Sequence, residues 1–248
     1  MQHNAWNKLG AWLAAVLALG ALLLPASPAK AAAAAPVIRQ VVTSKKVVAL
    51  TFDDGPTRKW TPQILQILTA EKVPATFFIV GSHALRHPTL VQDEVKAGME
   101  IASHGSRHLI LKGKDAAAVR REIEENAAIL KSLGAPNPTL YRLPAGLSDR
   151  TALEVLHQLG YQVIGWTIDT RDWRRRLSAQ QMTDLVLKQI EPGSIIIFHD
   201  GPNSSERTVE AVRALIPALR QRGYQFLTVS QLLKEETLNR NRLGDLAP

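Results

Sequence analysis

From Val47 onward, short apolar runs alternate with longer amphipathic stretches. The spacing predicts strands over Val47–Phe52, Ala75–Val80, Glu100–Ser103, Leu140–Arg142, Gln162–Thr167, Ser194–Phe198 and Gln225–Val229. Several of these, such as Val-Val-Ala-Leu-Thr-Phe, are apolar without alternation, as expected of strands buried on both faces. Helices are predicted between them. Pro62–Lys72 gathers Ile64, Leu65, Ile67 and Leu68 on one side, with Thr61 as N-cap and Pro62 at the first helical position. Asp115–Leu133 is amphipathic and stops at Gly134. Ser148–Leu159, Ser178–Ile190 and Thr208–Arg222 follow the same plan, the first and third closing on Gly160 and Gly223.

Repeated strand-then-helix order implies an α/β fold with a parallel sheet and right-handed crossovers. About seven such units favour a closed or nearly closed (β/α) barrel over an open sheet. In such a barrel the active site lies at the C-terminal ends of the strands.

The first 35 residues differ from the rest. An apolar run from Leu9 to Leu24 leads into small residues around Pro25–Ala31 and an alanine tract ending at Ala35. This is the pattern of a signal peptide or a membrane anchor followed by a linker, so the chain is expected to be exported, secreted or associated with the cell envelope. The folded domain is then expected over residues 36–238, with a flexible tail at 239–248. The 248 residues are 46% hydrophobic, enough for one sizeable core. With no cysteine, disulfides and thiolate metal sites are excluded, and any metal must be held by His and carboxylate. The net charge of +8 suits polyanionic surroundings. Export removes nucleic acid as a natural partner, makes an anionic cell wall the expected neighbour, and leaves contact with a membrane only to an uncleaved N-terminal segment.

The polar residues sharpen this reading. The first predicted strand runs into Asp53-Asp54-Gly55-Pro56, and the third delivers His104 and His108. The fourth delivers Arg142, the fifth Asp169 and then Asp172-Trp173, and the sixth His199-Asp200. Singly, each has a plain structural explanation: a turn, a solvated helical pair, a core histidine, an ion pair. Five strands ending in ionisable groups at one rim is another matter. Two imidazoles and a carboxylate form a three-ligand site with an open position, suited to activating water on Zn²⁺ or a similar divalent ion. A neighbouring carboxylate can act as base, and a histidine on the opposite rim can protonate a leaving amine, which together amount to amide hydrolysis. His3, His83, His87 and His157 have no comparable setting and receive no role.

In order and spacing, Thr-Phe-Asp-Asp-Gly-Pro, His-x-x-x-His, Arg-x-Pro-x-Gly, Asp-x-x-Asp-Trp and Ile-Phe-His near residue 199 resemble the five motifs of the polysaccharide deacetylase family (carbohydrate esterase family 4). The resemblance covers about residues 45–233 and implies a distorted (β/α) barrel. It implies Asp54, His104 and His108 as metal ligands, for Zn most simply, with Co, Mn or Ni as other candidates. It further implies Asp53 as general base, oriented by Arg142, and His199 as general acid, its ring held by Asp169. The Ala145 backbone N–H would face the oxyanion, while Trp173 and Ile197 would line the acetyl pocket. Three positions depart from the family pattern. Gly105 stands where Ser or Thr is usual, Ala145 where an aromatic is usual, and Leu143 where Pro is common.

The implied activity is hydrolysis of N-acetyl groups from an amino-sugar polymer of the cell envelope, with peptidoglycan ahead of chitin. Two other classes compete. A glycoside hydrolase needs carboxylates on opposite sides of a sugar ring, which adjacent Asp53 and Asp54 serve poorly. A non-catalytic wall-binding protein would need no acid and base together.

Overall fold

The computed structural model describes residues 34–244. The expected signal or anchor segment therefore lies almost entirely outside the described residues. Among those described, no helix is long and apolar enough to cross a membrane.

Among the described residues, nine strands form one sheet: β1 (Val37–Ile38), β2 (Val47–Asp53), β3 (Thr76–Ile79), β4 (Glu100–Ser103), β5 (Leu140–Tyr141), β6 (Gln162–Ile164), β7 (Ile168–Asp169), β8 (Ile195–His199) and β9 (Gln225–Phe226). They run in the order β1-β6-β5-β4-β3-β2-β8-β7, with β9 added to β2, and all these ladders are parallel. The expected distorted barrel is present, with two more short strands than the sequence suggested. β1 is too short to leave a pattern. β7 arises because the expected strand Gln162–Thr167 breaks. Gly165 N–H still bonds Ile38 O, whereas Thr167 N–H bonds Ile195 O, so the chain changes partners between them. That three-residue link spans at most roughly 14 Å. It joins strands from nearly opposite ends of the hydrogen-bonded path, so the sheet must curl until those ends meet.

Among the described residues, eight α-helices surround the sheet: α1 (Thr61–Ala70), α2 (Gly81–Arg86), α3 (Pro88–Lys96), α4 (Ala116–Ser132), α5 (Arg150–Gln158), α6 (Ala179–Gln189), α7 (Glu206–Gln221) and α8 (Val229–Gly244). The short pair α2 and α3 was not expected. Asp115 and Ser178 cap α4 and α6, the latter with a full capping box. Thr61 does not cap α1. It is the first helical residue, and its hydroxyl is committed to the active-site loop instead. At the N-terminal end, Ala35 is buried and its N–H bonds Leu153 O. At the other end, α8 continues to Gly244, through part of the expected tail.

The core explains how the barrel presents chemistry. Along β2 every residue is buried, but alternate residues serve different cores. Val48, Leu50 and Phe52 pack outward against the helices, whereas Val47 and Ala49 join Phe78, Ala102, Leu140, Ile164 and Ile195 in a separate cluster. This second cluster takes the alternate residues of β2, β3, β4, β5, β6 and β8, and so fills the lumen. Continuing that period of two past the apolar floor brings Thr51 and Asp53 from β2, His104 after β4, Arg142 after β5, and Ile197 and His199 from β8 to the same end.

Candidate active site

At that end lies a cavity of about 360 Å³ lined by Asp53, Asp54, His104, His108, Leu143, Ala145, Trp166, Asp169, Trp173, Ile197, His199 and Asn203. All ten expected site residues except Arg142 line it. Arg142 lies beneath, fully buried in the lumen.

Asp53 and Asp54 are neighbours in sequence but face different tasks. Asp53 Oδ1 accepts from Arg142 Nη1 at 2.6 Å, which also donates to Thr51 Oγ1 at 2.8 Å. Arg142 further donates to Ile164 O and Gly165 O, and its guanidinium stacks 3.9 Å from the Phe78 ring centroid. A cation tied to four acceptors and an aromatic face is tolerable in a dry lumen, and it holds the Asp53 carboxylate in one orientation.

Asp54 adopts φ 71, a left-handed conformation. Its Oδ1 lies 3.2 Å from His104 Nε2 and 3.2 Å from His108 Nε2. Burial would raise the Asp54 pKa, but the two imidazoles outweigh it and hold the carboxyl well below the usual range. The contacts to Oδ1 are close without hydrogen-bond alignment, leaving it a buried oxygen with no proper partner. The ligand atoms of these three residues all lie within 4.8 Å of one another. His104 Nδ1–H donates to Arg142 O at 2.8 Å, which leaves a bare lone pair at Nε2. Three lone pairs converging on one point, with the oxygen otherwise unsatisfied, fit a divalent metal.

His199 faces this trio from β8. The structure corrects the expectation that Asp169 holds its ring. Asp169 sits level with Ile197 in the β7–β8 register, two residues short of His199, and its Oδ1 accepts from Arg171 N instead. The chain then turns through a left-handed Arg171 and brings Asp172 back, buried, beneath the imidazole. Asp172 Oδ1 accepts from His199 Nδ1 at 2.8 Å, and Oδ2 accepts from the His199 backbone N–H at 2.9 Å. Burial alone would lower the His199 pKa. The Asp172 hydrogen bond and the charges of Asp172, Asp53 and Asp54 overcome this and raise it to about 9.

Several site-forming residues escaped the sequence reading. Glu122, fully buried on α4, binds the loop that carries both histidines. Its Oε1 accepts from Arg107 N at 2.7 Å and Leu109 N at 3.3 Å, and its Oε2 from Ser106 Oγ at 2.8 Å and Arg107 Nε at 3.3 Å. Gly105 fits only because it lacks a side chain: φ is +83, and a Cβ there would sit 2.9 Å from Glu122 Oε1. Here the departure from the family pattern has a local cause. His83, given no role from sequence, donates Nδ1–H to Asp54 O at 2.6 Å. Asp200 accepts from Thr61 Oγ1 beneath Gly55, where any Cβ would collide with its carboxylate. Only Asp200, next to His199, carries a sequence signal; His83 is remote from every motif, and Glu122 looks like one charge among many on an amphipathic helix.

A family model described as polysaccharide deacetylase matches residues 40–164. The chain belongs to the polysaccharide deacetylase family. A peptidoglycan-N-acetylglucosamine deacetylase of Bacillus cereus is 34% identical over 197 residues, covering 79% of this chain and 92% of that one. A chitooligosaccharide deacetylase of Sinorhizobium fredii is 35% identical, covering 76% and 93%. Among solved structures, a peptidoglycan N-acetylglucosamine deacetylase bound to an N-hydroxybenzamide derivative superposes with a TM-score of 0.77 at 31% identity, over 80% of this chain and 92% of that one. A family pseudoenzyme from Bacillus anthracis superposes nearly as well, at 0.76 with 25% identity over 82% and 70%. This member of the family is a polysaccharide N-deacetylase.

Proposed function

We propose that this chain is a metal-dependent deacetylase of N-acetylamino sugars in a cell-envelope glycan, with peptidoglycan preferred over chitooligosaccharide. The observation that carries the reading is the convergence of Asp54, His104 and His108 between an Arg-held carboxylate and an Asp-held imidazole. A fold shared with a pseudoenzyme does not by itself imply turnover; this acid–base pair is what supports it.

A divalent ion held by the trio, zinc by the chemistry of two imidazoles and one carboxylate, would supply Lewis acidity toward water and the amide carbonyl. Asp53, oriented by Arg142, takes a proton from the attacking water. Ala145, which lines the pocket at φ 55, offers its backbone N–H to the developing oxyanion. His199, with Nδ1–H given to Asp172, presents Nε2 to the pocket and protonates the leaving amine. Trp173 and Ile197 give the acetyl methyl an apolar wall.

The peptidoglycan preference is supported by the name of the Bacillus cereus relative, by the net charge of +8, and by the apolar N-terminal run that points to export. Mass spectrometry of peptidoglycan and chitin oligomers incubated with metal-loaded protein tests the reading. Loss of an acetyl mass that a chelator abolishes is the expected result. Release of reducing ends, or no change on either glycan, would overturn it.

A further inference from the structure

Beside the catalytic pocket lies a second cavity of about 100 Å³. Leu143, Ala145 and Trp166 line both, so they form a shared wall. The outer side of the smaller cavity is Arg39, just beyond β1. Gly165 allows the approach: a Cβ there would sit 2.8 Å from Arg39 Cγ, so the missing side chain lets the arginine stem lie on the backbone. The Arg39 backbone is fixed as well, its carbonyl accepting from Thr167 Oγ1 at 2.6 Å.

Two arginines line this cavity, and their states differ. Arg142 is buried and commits its donors to Asp53, Thr51, Ile164 and Gly165. Arg39 is exposed, and among the described residues its guanidinium has no hydrogen-bond or ion-pair partner. The carboxylate beyond Arg142, Asp53, is already compensated by it. The cavity thus has both Arg39, unpartnered among the described residues, and Trp166 in its lining. It is too small for a whole sugar and suits a small anionic group attached to one.

We propose that this cavity is a subsite for a carboxylate on the sugar next to the one being deacetylated, with Arg39 as its counter-ion and Trp166 as the wall for that sugar's apolar face. The inference rests on the deacetylase reading above and makes it more specific. In an alternating glycan whose every second sugar bears a lactyl ether, the carboxylate is either the free lactyl group or part of a peptide attached to it. A homopolymer of N-acetylglucosamine carries neither.

The test compares wild type, Arg39→Gln and Arg39→Lys on three oligomers of equal length: chitooligosaccharide, an alternating oligomer with free lactyl groups, and the same oligomer with peptide stems. Arg39→Gln should lower the ratio of acidic to neutral kcat/KM about three- to fivefold, the scale of an exposed charge pair, mainly through KM. Arg39→Lys should keep most of the ratio, and rising salt should drive the wild-type ratio toward the Gln value. Whichever acidic oligomer shows the drop identifies the source of the carboxylate. Equal loss on all three oligomers, or no loss on either acidic one, overturns the subsite. Calorimetric binding of the same oligomers to chelator-treated protein reads the subsite without turnover. If no oligomer releases acetate, the deacetylase reading fails, while the binding ratios still confirm or overturn Arg39.

Discussion

Asp172 and His199 are joined twice: the carboxylate accepts the imidazole Nδ1–H at 2.8 Å and the His199 backbone N–H at 2.9 Å. One buried carboxylate therefore sets the tautomer, the orientation and the basicity of the ring.

Because His199 is raised to about 9, its protonated form persists through neutral pH, and activity that needs this acid should fall as pH rises through that value. Asp172→Asn removes the counter-charge while burial still favours the neutral ring. The alkaline limb of the kcat profile should move toward or below the ordinary imidazole value of about 6.5. The same raised pKa adds stability that is full below that ordinary value and lost as pH climbs through about 9, so Asp172→Asn should flatten this part of the Tm-versus-pH curve. Asp169→Asn should leave both profiles in place. A shift in Asp169→Asn but not Asp172→Asn would reverse the assignment.

Asp53 and Asp54 should separate cleanly. Asp54→Asn removes a ligand and should abolish metal binding in a titration followed by calorimetry. Asp53→Asn should retain the metal yet lose about 10²–10⁴ in rate, the usual worth of a positioned base. Its Tm should also fall, because Arg142 keeps its burial and loses its counter-charge. Equal metal loss in both variants would show the roles to be shared.

Restoring the residue common in the family at position 105 should weaken this protein. Gly105→Ser forces a side chain into a φ of +83 against Glu122 Oε1, a strain of ~1–3 kcal/mol. Lower Tm and weaker metal affinity are expected. Glu122→Gln should also weaken metal binding, since an amide cannot accept all four donors that the carboxylate receives. Unchanged affinity in both variants would mean that the loop holds its shape without Glu122.

The arginines after Asp169 are not equivalent. Arg175 donates to the carbonyls of Pro202, Asn203 and Ser204, and Arg174 lies 4.7 Å from the Trp173 ring centroid. Arg175→Gln should lower Tm and disturb the Asn203 side of the pocket on every substrate. Arg176→Gln should alter only salt-dependent activity on acidic glycan, because an exposed charge acts over a Debye length of ~8 Å. An Arg175→Gln protein with wild-type Tm would place Arg175 with the steering charges instead.

Most of the strands, the long helices and the trio Asp54, His104 and His108 were legible in the sequence. They are local patterns: apolar runs of strand length, caps and terminal glycines, and polar residues placed just after strands. β1, β7 and the α2–α3 pair were not, because elements so short carry too few residues to show a period and exist through tertiary pairing alone. Strands apolar on both faces also hide which alternate residues face the lumen. Only closure of the barrel shows that Val47, Ala49, Thr51 and Asp53 form one inward column while Leu50 and Phe52 pack under helices. Sequence order determined which residue types reach the rim, but the choice between Asp169 and Asp172 depended on strand register and a left-handed turn. Glu122 depended on the same kind of decision. A carboxylate on an amphipathic helix reads as solvated until packing buries it against four donors. Local periodicity determines which elements form; hydrogen bonds between residues far apart in the chain decide which side chains meet, and those partners are specified only once the sheet has curled.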